Sequence, residues 1–429
     1  MSKNKTFDGT EVKNPNFKYL TMHENSKIFT NGNFIPMGSG LSYTPCFLGD
    51  DVNSLVMVNK KKIFLNKNKK LITVAANTKL FEVYNFLIKN NFFLEIQPGL
   101  QNATIGGCIA NNVHGKNHLR DGNFINQVTS FVLKTHNDSL VYCSRNKNSE
   151  LFYLTVGGFG LTGMILKANL RVKEIKSNCV EVRSKKINSL KDIPSLKNIA
   201  SSNDFFYTWH RTDLKNFGKG IAFFGNLNED KNSKYAVLKS ISFYKNPFNI
   251  CLYNKVSIFT LNLLYYFYNI LFKVKNISLS DAIYPFTKNK FYFTLFASSG
   301  FYEYQVIIPH KNFSDYLIEL ENIYKKFRPV ITLMSTKYFN SKKKYLYFSG
   351  KGICIALNLP KNKNSVLFLN ELDNISIKYE CIPNISKDSR LSLHIIKKTY
   401  GKNYYNFKNK IKKYNKSIFK SSLSKILDI

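Results

Sequence analysis

The sequence predicts an α+β protein of two domains, the second built on a mostly antiparallel sheet. Three observations carry that prediction. At 429 residues the chain is long for one hydrophobic core. Composition and pattern shift after about residue 175, from glycine loops set between strands to a long series of strands with a few helices. The third is a fingerprint that fails. Gly158–Gly163 fits G-x-G-x-x-G letter for letter, yet Met164–Val172 (MILKANLRV) alternates as a strand where a dinucleotide fold needs a helix. That excludes a Rossmann nicotinamide site and leaves a glycine loop between extended segments. The expected units are residues 1–175, 176–380 and a helical, basic 381–429.

Residues 1–30 carry little pattern. Asn33–Pro45 (NFIPMGSGLSYTP) runs from an apolar strand into Gly38-Ser39-Gly40-Leu41-Ser42. Successive small residues there aim backbone N–H groups into one concavity, a nest suited to pyrophosphate, although an ordinary loop has the same letters. Ser54–Val58 reads as a strand and Lys62–Asn77 as a hairpin around Asn66–Lys69. Thr78–Asn90 has helical periodicity with Thr78 as N-cap, and Phe92–Ile96 is a strand. Gln127–Thr135 and Ser139–Cys143 pair across His136-Asn137-Asp138.

Between them lies the densest stretch, Pro98–Gly122 (PGLQNATIGGCIANNVHGKNHLRDG). Gly106 and Gly107 permit close approach of a ligand to the backbone. Thr104 can cap a small-residue helix over Gly107–Val113 whose first N–H groups would be free for an anion or a ring edge. His114 and Lys116 follow as titratable groups. A solvated glycine turn remains the competing reading.

After residue 175, strands are expected at Cys179–Ile187, Phe205–Trp209, Gly220–Asn226, Tyr235–Phe243, Tyr304–Ile308, Val330–Tyr338, Tyr345–Phe348 and Ile353–Leu357. Helices are expected at Ser314–Phe327 and from Val366. Val256–Phe272 (VSIFTLNLLYYFYNILF) is uncharged between Lys255 and Lys273. It is too short and too polar to span a bilayer, so a buried or an interfacial helix is expected.

The formal net charge is +36, from 63 Lys+Arg against 27 Asp+Glu. A polyanionic partner is one explanation. The lysines spread over the whole chain among abundant Asn, Ile, Phe and Tyr, the composition an AT-rich gene produces. A solvated basic surface is therefore the expectation, and nucleic-acid binding the remote alternative. Seven cysteines, an odd number without metal-ligand spacing, point to a reducing compartment and no metal site. The opening MSKNKTFDGTEVKN has no secretory pattern, so a cytoplasmic protein is expected.

Five blocks occur in order: ATIGGCIANNVHGKNHLRDG, ELFYLTVGGFGLTGMIL, FYEYQVIIP, GICIALNLP and SKDSR. Together they resemble flavoproteins of the vanillyl-alcohol-oxidase superfamily, closest to the decaprenylphosphoryl-β-D-ribose oxidase group, with gulonolactone and arabinonolactone oxidases more distant. The resemblance runs from about Asn33 to the C-terminus. It implies a PCMH-type FAD-binding domain, a substrate (cap) domain, and a C-terminal helical segment returning to the FAD domain. In that frame Gly38, Ser39, Gly40, Leu41, Ser42 and Tyr43 wrap the FAD pyrophosphate. Gly99, Thr104, Ile105, Gly106 and Gly107 line the flavin and ribityl chain, Asn111 and His114 lie near the ring, and Ile165 packs on the adenine side. Many relatives tether FAD through a histidine in the first loop. Leu41 stands there, so non-covalent FAD is expected.

The resemblance also implies a substrate pocket of His114, Lys116, Tyr43, Gln305, Lys337, Cys354 and Lys387. Lys387, His114 and Tyr43 form the expected catalytic set, with Lys387 supplying a cation or a hydrogen bond to the reacting hydroxyl and His114 acting as base or orienter. Strand alternation turns Gln305 inward and Tyr304 outward. Glu303 departs from the glutamine that relatives carry. The implied activity is oxidation of a secondary sugar hydroxyl, as in the 2′-oxidation of a polyprenylphosphoryl ribose during epimerisation. An aldonolactone oxidase using oxygen is the alternative. A sugar or lipid-linked sugar, an NAD-dependent reductase and a peripheral contact at the inner face of a membrane are the implied partners.

Overall fold

The computed structural model describes residues 4–21, 26–58, 60, 62–229, 237–242, 249–287 and 289–429. The chain is α+β, built on four main sheets. A parallel sheet joins β1 (Asn16–Leu20), β2 (Asn33–Met37) and β3 (Val52–Met57) with β3 central. An antiparallel sheet follows: β4 (Ile63–Asn66), β5 (Leu71–Ala75), β6 (Val128–Lys134), β7 (Leu140–Ser144) and β8 (Met164–Arg171), in the order β4-β5-β8-β6-β7. Helices α1 (Leu80–Ile88), α2 (Ile105–Ala110) and α3 (Ser149–Thr155) serve this half, with a single turn at His118–Asp121. Strand β8 follows the second glycine loop, so the failed fingerprint is explained by the fold.

The second half holds two four-stranded antiparallel sheets. One is β9 (Cys179–Ile187), β10 (Phe205–His210), β11 (Gly220–Leu227) and β12 (Val274–Ser278), with α4 (Lys255–Leu271) leading into β12. The other is β13 (Phe301–Pro309), β14 (Leu333–Asn340), β15 (Lys351–Pro360) and the short β16 (Ile382–Pro383), in the order β14-β15-β13-β16. Thr208 of β10 locks the two sheets together. Its hydroxyl meets Thr336 Oγ1 at 2.7 Å and accepts the Thr336 N–H at 2.8 Å.

Period-2 alternation decides the two faces of the β13–β15 sheet. Tyr304, Val306, Met334, Tyr338, Ile355 and Leu357 turn to one side and are buried under α5 (Phe313–Phe327) and α6 (Lys363–Lys378). Each fully buried Leu or Ile there contributes about 1.5–3 kcal/mol relative to exposure. The other face carries the polar residues of the site. The chain then returns through α7 (Leu393–Tyr400), α8 (Lys402–Asn415) and α9 (Ser422–Ile426) to the edge of β2, where Phe34 N–H donates to Ile418 O and Lys420 N–H to Phe34 O.

Several local expectations change. Thr78 does not cap α1. Lys79 is the N-cap, and the Glu82 carboxylate accepts its N–H at 2.8 Å. The expected Phe92–Ile96 strand keeps only Phe92–Phe93, because the Gln127 side chain takes both the N–H and the C=O of Ile96. Tyr345–Phe348 is a turn: Tyr345 sits at φ 47°, which breaks an extended run, and its neighbours tuck inward. Of Tyr235–Phe243 only residues 237–242 are described, and they form no strand; the rest lies outside the described residues. Tyr304 does point away from Gln305, but into the helix-covered core rather than to solvent.

Candidate active site

A cavity of about 560 Å³ opens between the first glycine loop, the end of α2 and the polar face of the β13–β15 sheet. That is the ordinary size of a ligand site. The sheet contributes Glu303 and Gln305 from β13, Leu333, Ser335 and Lys337 from β14, and Cys354, Ala356 and Asn358 from β15. Register makes this one surface: Lys337 lies opposite Cys354, and Gln305 opposite Ala356. Pairing of β16 with β13 then delivers Asn384–Lys387 to the rim. Gln305 Oε1 accepts Asn384 Nδ2 at 2.5 Å, and the Lys387 N–H donates to Asn384 O at 3.0 Å. Next in the chain, Arg390 pairs with Asp388 at 2.7 Å and Asp373 at 3.1 Å, and Ser389 donates to buried Asp8 at 2.6 Å. Lys387 therefore stands on an anchored turn.

Lysines, a carboxylate, a phenol, a thiol and an imidazole meet there. Lys387 Nζ lies 3.5 Å from the centre of the Tyr43 ring and 3.9 Å from Glu303 Oε2, which also accepts from Asn358 Nδ2 at 3.1 Å. Burial lowers the pKa of Lys387, and the Glu303 charge opposes that shift. Burial likewise lowers Lys337. It brings Lys116 to about 7, helped by the charge of Lys337, with Lys116 Nζ set over Tyr207. His114 is held well below its usual range, first by burial and then by Lys337, His118, Lys387 and Lys116. It is a neutral imidazole near pH 7. Burial, then the Glu303 charge, pushes the Tyr43 phenol well up, and burial pushes the Cys354 thiol to about 12, so both keep their protons. Among the described residues that line the cavity, Glu303 is the single carboxylate.

One prediction follows from Lys116. Its cationic form is lost as pH rises through about 7. For an anionic substrate kcat/KM should fall on that limb, chiefly through KM, and Lys116→Met should flatten it. A limb that persists in K116M would remove Lys116 from substrate binding.

The first loop fits a diphosphate. Among the described residues the N–H groups of Ser39, Gly40, Leu41 and Ser42 have no acceptor, and all four residues line the cavity. Such a run of free donors is an anion nest. Gly38 is required for its approach to α2, since a Cβ there would fall inside the radius of Thr104 Oγ1. Nearby, Asn112 lines the cavity with a buried Nδ2 that has no partner. The α2 start is different from what its letters suggest. Thr104 does cap it, accepting Gly107 N–H at 3.2 Å, but Ile105 N–H donates to Thr78 O and Gly106 N–H to Ala76 O. The helix runs over Ile105–Ala110, and its first donors are already satisfied. The free donors are those of the 39–42 loop, and α2 serves as a small-residue wall.

The cavity brings together Gly38, Ser39, Gly40, Leu41, Ser42, Tyr43, Gly99, Thr104, Gly106, Gly107, Asn111, His114, Lys116, Ile165, Gln305, Lys337, Cys354 and Lys387. Ile105 is the exception: it points into the core and is fully buried. Tyr207 and Trp209 of β10, Tyr265 of α4 and Asn384 also line the cavity and were not expected. For Tyr207 and Trp209 the signal was present as alternation along FFYTWH. For Asn384 it was not, since its place depends on β16 pairing.

Residues 29–144 match the FAD binding domain family. Over 350 residues the chain is 23% identical to decaprenylphosphoryl-β-D-ribose oxidase of Mycolicibacterium smegmatis, covering 76% of this chain and 74% of that protein. It is 28% identical over 139 residues to L-galactono-1,4-lactone dehydrogenase 2 of Oryza sativa and 28% identical over 107 residues to L-gulonolactone oxidase of Bos taurus. The chain spans about a quarter of the length of each of those two (24% in both cases).

Proposed function

We propose that this chain, an FAD-dependent oxidoreductase with a PCMH-type FAD-binding domain, oxidises a secondary hydroxyl of a polyprenylphosphate-linked pentose. The observation that carries the reading is the convergence of Lys116, Lys337 and Lys387 on a cavity with one carboxylate. A neutral lactone has no use for that excess of buried cations, each of which costs desolvation. A phosphate-bearing donor compensates them. The similarity over three quarters of the mycobacterial ribose oxidase supports the same reading.

Bound FAD supplies the two-electron acceptor that takes the carbinol hydride. The chain's own residues handle the rest. Lys116 and Lys337 hold the phosphate. Gln305, fixed by Asn384, and neutral His114 orient the sugar. Glu303 accepts the hydroxyl proton as the C–H bond breaks; His114 is poorly suited to that task with its pKa so depressed. Lys387 keeps positive charge beside the reacting oxygen and Glu303. In an epimerisation the resulting ketone would pass to a separate NAD-dependent reductase.

Leu41 offers no nucleophile to the flavin, so FAD is held without a covalent bond. Acid precipitation should release all of the yellow colour; colour retained in the pellet would contradict this. For the substrate, anaerobic mixing decides. A polyprenylphosphoryl pentose should bleach the flavin and a free aldonolactone should not, whereas bleaching by the lactone alone would replace this reading with a lactone oxidase.

A further inference from the structure

Helix α4 is inside out. A surface helix ordinarily buries its apolar stripe and shows its polar one. Here the stripe turned inward is Ile258, Asn262, Tyr266 and Asn269. Asn262 Nδ2 donates to Thr212 Oγ1 at 3.1 Å, and Asn269 Oδ1 accepts from Lys275 Nζ at 3.0 Å. Facing outward are Val256 at 75% exposure, Leu264 at 63%, Phe267 at 54% and Leu271 at 75%, with Phe259 beside them and Phe272 and Val274 just beyond the helix. Isolated exposed apolar residues are unremarkable, but a contiguous apolar face marks a contact.

The charge around that face identifies the contact. Lys255 opens the helix, and Lys273 and Lys275 follow its end, the latter 4.0 Å from the Tyr268 ring. A second copy of this chain would bring two such basic rims together, so self-association through this face is opposed by repulsion. An anionic bilayer satisfies both features, with lysines and tyrosines at headgroup level and the Leu/Phe face among the acyl chains. At 17 residues the helix is about 26 Å long. Among the described residues no helix is long and apolar enough to cross a membrane. Such a helix is built to lie along a bilayer surface rather than to span it.

We infer that the outer face of α4 docks this enzyme on an anionic lipid surface. The opposite side of the same helix, through Ile258, Leu261, Asn262 and Tyr265, lines the active-site cavity. Docking thus sets the cavity at the bilayer, where a polyprenyl-anchored sugar resides. The inference rests on the proposed lipid-linked substrate, but its test does not need that substrate.

The FAD-loaded full chain is sedimented with vesicles of phosphatidylcholine alone and of phosphatidylcholine mixed equally with phosphatidylglycerol. It should pellet with the mixed vesicles and stay in solution with the neutral ones. The triple variant Leu264→Ser, Phe267→Ser, Leu271→Ser, all outside the cavity, should keep its flavin spectrum and lose at least about ten-fold in vesicle partitioning. Wild-type protein left in solution with mixed vesicles would overturn the inference, as would a triple variant that pellets equally well. A wild-type dimer that the variant converts to monomer, without vesicle binding, would assign the face to a second copy instead. Failed vesicle binding leaves bleaching by the pentose donor untouched, and failed bleaching leaves vesicle binding measurable.

Discussion

Replacing Lys387 with alanine should slow flavin reduction by about a hundred-fold or more while FAD stays bound, the range expected when one preorganised charge is removed from a reacting centre. The lysine is held over Tyr43 at 3.5 Å and beside Glu303 at 3.9 Å by a turn that its neighbours Asp388, Ser389 and Arg390 anchor. Those anchors survive the substitution, so the fold should too. What disappears is the cation placed beside the reacting oxygen, which opposes the negative charge that develops there as the hydroxyl gives its proton to Glu303. Rapid anaerobic mixing with the pentose donor measures the effect directly. An unchanged reduction rate in K387A would remove Lys387 from the chemistry.

Gly38→Ala should abolish FAD retention. The new Cβ has nowhere to go but against Thr104 Oγ1, the atom that caps α2. Either the cap is broken or the 38–43 loop swings away, and in both cases the row of free N–H groups loses its place beside the α2 wall. The second-site change Thr104→Gly makes room, and glycine at an N-cap costs only a few tenths of a kcal/mol relative to threonine. G38A should therefore purify colourless and G38A/T104G should recover flavin. A yellow G38A protein with wild-type flavin content would show that the cradle lies elsewhere.

The resemblance named Gln305, Lys337 and Cys354, and strand alternation added only the inward turn of Gln305; a period of two explains why all three share one face once the strands pair in register. The glycine loops were legible for a similar local reason: only small residues allow the approach seen at Gly38. What sequence could not supply was pairing at a distance. The α2 donors looked free, but residues 76–78 run alongside and take two of them, and that same packing turns Ile105 into the core. Gln127 ended a strand thirty-one residues earlier by side-chain bonds that no local pattern encodes. For α4, a hydrophobic run reads the same whether buried or laid on a surface. Only the asparagines turned inward reveal which it is.

In the proposed reaction the sugar carbon gives up its hydrogen in this cavity as the flavin is reduced. Anaerobic flavin reduction by a pentose donor carrying deuterium at the oxidised carbon tests it most directly. Bleaching is expected with the unlabelled donor, and distinctly slower bleaching with the deuterated one. No bleaching with either, or equal rates with both under conditions where reduction is limiting, would contradict it.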